Sequence, residues 1–242
     1  MGTTRKFLRN MDKVTLSNIG KAERLKKVVS TVTAMGFVLQ PVAAMANTIT
    51  RTDGGKLDVN GNVTNVWAGK VINDKVAMSV FKDFKVDANN IANMYFKEQA
   101  NGQEAGNLVN FVNSCIDNNG TVNALKGGKI GGNLFFLSKD GMAVGATGVI
   151  NTGSLYVATP NANKINELQD SLQKGLIKDN LADNLVYSVP INKSGTITVM
   201  GKINAADDVH LRAPKIGIGE NVSGDAQYDA QQGGQMPLSQ QV

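Results

Sequence analysis

The sequence predicts an all-β chain made of many short strands, and three observations carry that expectation. Asparagine occurs 27 times and glycine 26 times, while aromatic residues are only 5% of the chain. Apolar and β-branched runs of about four to six residues recur between Asn/Gly turns, the pattern of strands bounded by turn chemistry. These runs are rarely separated by the length of helix that a doubly wound sheet needs, which leaves a sandwich, a barrel or a β-solenoid. A loose repeat favours the solenoid, a parallel β-helix, over an antiparallel sandwich. Gly120-Thr121-Val122-Asn123-Ala124, Gly148-Val149-Ile150-Asn151-Thr152, Gly195-Thr196-Ile197-Thr198-Val199 and Gly201-Lys202-Ile203-Asn204-Ala205 share a Gly-x-Ile/Val-x frame. In such a fold each coil contributes a short strand, Asn stacks in ladders and Gly permits left-handed corners.

The first 46 residues read as an extended secretory signal rather than part of that fold. Residues 1–27 carry eight basic groups against Asp12 and Glu23, an apolar run follows over 28–39, and Pro41 leads to Ala44-Met45-Ala46. A basic front, a short apolar centre and an A-x-A end predict cleavage between Ala46 and Asn47. The apolar run falls short of the roughly 20 residues that span a bilayer. The competing reading is an amphipathic helix that stays on the protein. The signal also accounts for the basic pI near 9.2. Eight of the 25 basic residues and two of the 20 acidic ones lie in it, leaving 17 against 18. A net charge of −1 lacks the footprint of nucleic-acid binding, so no nucleic-acid partner is expected. Cys115 is the only cysteine, which excludes an internal disulfide and leaves stability to packing and backbone ladders.

Strands are expected next at 56–59 before Asn60-Gly61, at 111–113 and Ile116 before Asn119-Gly120, and at 121–125 before Gly127-Gly128. Further ones follow at 133–137, at Ala143-Val144 before Gly145, and at 148–151, 154–158 and 195–200. One segment changes period. Ile165, Leu168, Leu172 and Leu176 are spaced 3, 4 and 4, which predicts a short inserted α-helix over 161–178 lying against the β-structure. Pro160-Asn161 suits its start and Gly175 or Asn180 its end. The β-domain is expected over 47–224. Residues 225–242 form a polar, Gln-rich tail, expected to be unstructured or truncated.

No catalytic, cofactor-binding or metal-binding set is apparent. His210, the sole histidine, lies far in sequence from Cys115, so neither serine nor cysteine catalysis has local support, and one Cys with one His cannot build a usual zinc site. In a strand, Asp207 and Asp208 point to opposite faces. Asp53-Gly54-Gly55 with Asp58 reads as turn chemistry. Gly127-Gly128-Lys129-Ile130-Gly131-Gly132 lacks the P-loop spacing, and Gly217-Ile218-Gly219 lacks the third glycine of a dinucleotide fingerprint. Both glycine stretches read as solenoid corners, and no enzyme is expected.

The run Gly131-Gly132-Asn133-Leu134-Phe135-Phe136-Leu137-Ser138-Lys139-Asp140-Gly141-Met142-Ala143-Val144-Gly145 resembles the central signature of the filamentous-haemagglutinin-type two-partner secretion domain. There an Asn-Leu-φ-φ-Leu strand enters an Asn-Pro-Asn-Gly turn and leaves as a φ-x-φ-Gly strand. Val80-Phe81-Lys82-Asp83-Phe84-Lys85-Val86 and Ala92-Asn93-Met94-Tyr95-Phe96 are similar to that family's earlier coils. Asn107-Leu108-Val109-Asn110-Phe111-Val112 resembles the coil that follows them. Together these cover most of 47–160 in the family's order, and they resemble leukotoxin-like filamentous adhesins. Here Ser138-Lys139-Asp140-Gly141 keeps only the glycine of the turn, with Asp140 expected to fill the role of its second Asn, and an Asn-Pro-Asn-Leu motif is not recognisable.

The resemblance implies a right-handed parallel β-helix with antiparallel capping strands. It implies the N-terminal secretion domain of a large adhesin, secreted or on the surface of a bacterium with an outer membrane. It also implies an outer-membrane β-barrel transporter with periplasmic POTRA domains as the partner, and host-cell or surface receptors for repeats further downstream. Transporter recognition is carried over onto Asn107, Asn110, Asn133, Ser138, Lys139, Asp140 and Gly141, against a competing reading in which these residues have purely structural turn and ladder roles. A secreted β-helical polysaccharide lyase or hydrolase is the alternative function. It is weakly supported, because Arg51 and Arg212 are the only arginines after the signal. A freestanding binding or structural protein is a third reading.

Overall fold

Short runs of alternating and continuous apolar residues give a fold that is mostly β, in one large and mostly parallel sheet. The computed structural model describes residues 47–219 and 222–230. The expected signal, with Ala44 and Ala46, lies outside the described residues, as does 231–242. The strands, numbered in chain order, are β1 (Thr48–Arg51), β2 (Leu57–Asn60), β3 (Val63–Trp67), β4 (Lys70–Val71), β5 (Val76–Val86), β6 (Ile91–Tyr95), β7 (Asn107–Val112), β8 (Ile116–Asn118) and β9 (Thr121–Lys126). There follow β10 (Lys129–Ile130), β11 (Asn133–Leu137), β12 (Gly141–Val144), β13 (Val149–Thr152), β14 (Ser154–Ala158), β15 (Thr196–Val199), β16 (Lys202–Ala213), β17 (Lys215–Ile218) and β18 (Val222–Ala230). One helix, α1 (Ala162–Gln173), and a π-helical turn (Asp183–Tyr187) sit between β14 and β15.

The strands pair in three parallel ladders. The first runs β5–β7–β11–β14–β16–β18, the second β5–β8–β12–β15–β17, and the third β3–β6–β9–β13–β16–β18. Antiparallel pairs gather at the N-terminal side (β1–β5, β2–β3, β4–β5), with one more at β9–β10. Parallel register stacks like on like. Ala77, Leu108, Leu134, Leu155 and Val209 form one inward column. Phe84, Ile116, Met142, Ile197 and Ile216 form a second, and Ala92, Val122, Ile150 and Ile203 a third. The three columns meet in a single inner core, with Phe84 edge-on to both Phe81 and Phe136 at 5.3 Å. Each fully buried Leu, Ile or Phe contributes about 1.5–3 kcal/mol of transfer free energy.

A second core lies on the outer side of the first ladder. Val76, Met78, Val109, Phe135, Leu137 and Tyr156 face outward there and are covered by Ile165, Leu168 and Leu172 of α1 and by Leu181, Leu185 and Val186 beyond it. This is why Leu134-Phe135-Phe136-Leu137 is continuously apolar: β11 and β14 are buried on both faces, whereas β6 and β9 alternate between inside and half-exposed. The inserted segment therefore packs on the β-structure as expected, but its helix is shorter than the apolar spacing suggests. Asn161 caps it by accepting the Lys164 N–H at 2.9 Å. Gly175, at φ +66°, ends it, with Gly175 N–H bound to Leu172 O and Leu176 N–H to Ser171 O. That Schellman closure throws Leu176 off the apolar stripe and leaves it 72% exposed.

Three other expectations are corrected. Gly127 and Gly128 form the two-residue turn of the β9–β10 hairpin, with φ +59° and +73°, rather than a coil corner. Gly217 lies inside β17, where an added Cβ meets nothing within 4 Å. The polar tail does not begin at 225, because Asp225 to Ala230 pair with β16 as part of β18, and a parallel ladder is held by backbone groups whatever the side-chain polarity.

Candidate functional site

The 138–141 turn leaves β11 and enters β12, and it is held from inside. Ser138 is fully buried. Its hydroxyl donates to Ser114 O at 2.7 Å and accepts the N–H groups of Asp140 (3.2 Å) and Gly141 (3.3 Å). A Ser side chain binding the backbone two and three residues on is a local turn device, and it does here what an Asn side chain does in an Asx-turn. The turn-holding role expected of Asp140 thus belongs to Ser138. The Asp140 carboxylate is instead bound by its neighbour, with Lys139 Nζ 2.7 Å from both oxygens. Gly141 is compulsory for two reasons: its φ is +101°, and an added Cβ would lie 1.7 Å from Thr196 O.

The strands next in the parallel ladders press on this turn. Where β11 and β12 are joined by three residues, β14 and β15 are joined by the whole inserted segment, and its return strand latches onto the turn below. Asn192 donates its carboxamide N–H to Lys139 O at 2.7 Å, Thr196 N–H donates to Asp140 O at 3.2 Å, and Asn192 N–H reaches Thr159 O at 2.7 Å. The backbone of the turn is thus pinned on one side by Ser114, just before β8, and on the other by Asn192 and Thr196, just before and at the start of β15. The Lys139 and Asp140 side chains are not. They are 42% and 40% exposed, and an ion pair in that setting contributes only about 0–1 kcal/mol. A rigid backbone presenting an opposite-charge pair to solvent is an arrangement suited to contact with another molecule. Cys115 lies beside it, exposed, with its thiol pKa raised by desolvation and then by the Asp117 and Asp140 carboxylates, so it stays protonated and unreactive near neutral pH.

The other residues singled out by sequence do not join this surface. Asn133 donates to Asn107 Oδ1 at 2.9 Å and Asn107 donates to Lys75 O at 2.7 Å, at the opposite ends of β11 and β7. Asn133 and Ser138 are five residue steps apart along the strand, roughly 16 Å. That pair lines an open groove of about 280 Å³ with Lys75, Lys178 and Asp179. Asn110 is fully buried on the inner side of β7 and donates to Phe135 O at 2.9 Å, so no partner reaches it while the chain is folded. Asn47, expected at the signal junction, is half-buried and ties Thr64 Oγ1 and Ile91 O, both at 3.0 Å.

Two further features stand out, an asparagine ladder of the kind expected from the sequence and a buried ion pair that was not expected. Asn65, Asn93, Asn123, Asn151 and Asn204 form a continuous carboxamide ladder on the third ladder's outer face, each Nδ2 donating to the preceding Oδ1 at 2.7–3.0 Å. The repeat frame carries its signal. Gly120, Gly148 and Gly201 stand just before β9, β13 and β16, and a Cβ there would meet a backbone carbonyl of an adjacent segment at 2.2–2.4 Å. The frame at Gly195 belongs to another ladder, because β15 pairs with β12 and β17. The second feature is the Arg51–Asp53 pair. It is bidentate at 2.8 Å, nearly buried, and completed by Trp67 O, Val80 N–H and Gly55 N–H. Removing one partner of so buried a pair costs about 3–5 kcal/mol.

The sole histidine is a packing residue. His210 is buried, stacks on Tyr156 at 5.0 Å and has Nε2 3.0 Å from Tyr187 Oη, while Tyr156 donates to Asp208 at 3.3 Å. Burial, then the Asp208 charge, pushes the Tyr156 phenol up to about 12, and burial lowers His210 against the opposing pull of Asp208. A phenol held so far from neutrality is poorly matched to acid–base work at pH 7. No protein-family model matches the chain, and no curated protein is significantly similar to it.

Proposed function

We propose that this chain carries the N-terminal secretion domain of a large bacterial adhesin, wound as a right-handed parallel β-helix with the antiparallel pairs β1–β5, β2–β3 and β4–β5 as its cap. Three in-register parallel ladders around one inner core support the winding, and right-handedness is the hand that parallel crossovers take in a right-twisted sheet. Residues 1–46 direct export, and cleavage leaves Asn47 at the new N-terminus. POTRA domains of an outer-membrane β-barrel transporter then engage the domain in the periplasm, and coil-by-coil folding follows outside the cell, where each coil templates the next. The chain acts as an address and folding nucleus, not as an enzyme. Receptor contacts belong to repeats further downstream.

The observation that carries this reading is the exposed Lys139–Asp140 pair on a turn whose backbone is fixed from both neighbouring coils. The test compares Lys139→Ala, Asp140→Ala and the double variant with the parent chain for release into the medium through a cognate-type transporter, alongside urea melts of each purified protein. The reading expects release to fall while stability stays within about 0.5 kcal/mol of the parent. Undiminished release from all three would assign the turn a structural role alone.

A further inference from the structure

We draw no further inference here: the strongest candidate, the row of half-buried Trp67, Tyr95 and Leu125 with exposed Ile130 beside the asparagine ladder on the outer face of β3, β6, β9 and β10, has its two rings stacked face to face at 4.2 Å, and nothing in the structure shows what covers it.

Discussion

Replacing Gly141 by alanine tests the turn at its tightest point. The added Cβ would sit 1.7 Å from Thr196 O, about half the 3.4 Å at which ordinary contact begins, so β15 must retreat by more than 1.5 Å or the turn must open. A Cβ at a left-handed φ adds about 1–2 kcal/mol. Weakening the Thr196 N–H bond to Asp140 O removes about 1 kcal/mol, and loosening Ile197 between Met142 and Ile216 removes about another 1 kcal/mol of burial. The sum is about 3–4 kcal/mol. Urea melts of the chain from Asn47 onward measure it, with Gly131→Ala as control because a Cβ there meets nothing within 4 Å. The control should fall within about 0.5 kcal/mol of the parent. If Gly141→Ala matched the control, the close stacking of β15 on this turn would be refuted.

The asparagine ladder predicts a positional effect. Asn123→Ala removes one bond to Asn93 and one from Asn151, about 1–2 kcal/mol, while Asn204→Ala removes one, about 1 kcal/mol. Equal losses in urea melts would contradict a chain of paired carboxamides. The pH dependence has a definite sign as well. His210 titrates below 6.5 when folded, so the unfolded chain takes up the proton first. Its contribution is therefore present above about pH 6.5 and is lost as pH falls from there through the folded value. The single histidine resonance should show a midpoint below 6.5, and His210→Phe should flatten that part of the stability curve. A midpoint above 6.5 would mean that Asp208 outweighs burial.

The parts of this fold legible in the sequence are those set by local chemistry. Asn161 marked the helix start, and Gly175, one of two expected ends beside Asn180, marked its close, because capping depends on a few adjacent residues. Three of the four Gly-x-Ile/Val-x frames fell in one ladder because each glycine meets the same close backbone approach. The frame at Gly195 was misplaced because its neighbour is decided by which strand the inserted segment returns to, which no local pattern records. The double burial of Leu134-Phe135-Phe136-Leu137 was visible as an apolar run, but what covered its outer face was not. At the candidate site, sequence reasoning found the turn and missed its supports. Ser114, Asn192 and Thr196 lie 24, 54 and 58 positions from Ser138 in the chain, and only stacking brings them together. Asn107 and Asn110 resemble each other in sequence, but strand alternation turns Asn110 into the core and leaves Asn107 half-exposed at the strand end.

The most direct test of the proposed role is export itself, with the whole chain expressed in an outer-membrane bacterium with and without a cognate-type β-barrel transporter. The account predicts release into the medium only with the transporter, as a product whose first residue is Asn47. A folded product that stays in the periplasm beside a working transporter would contradict it.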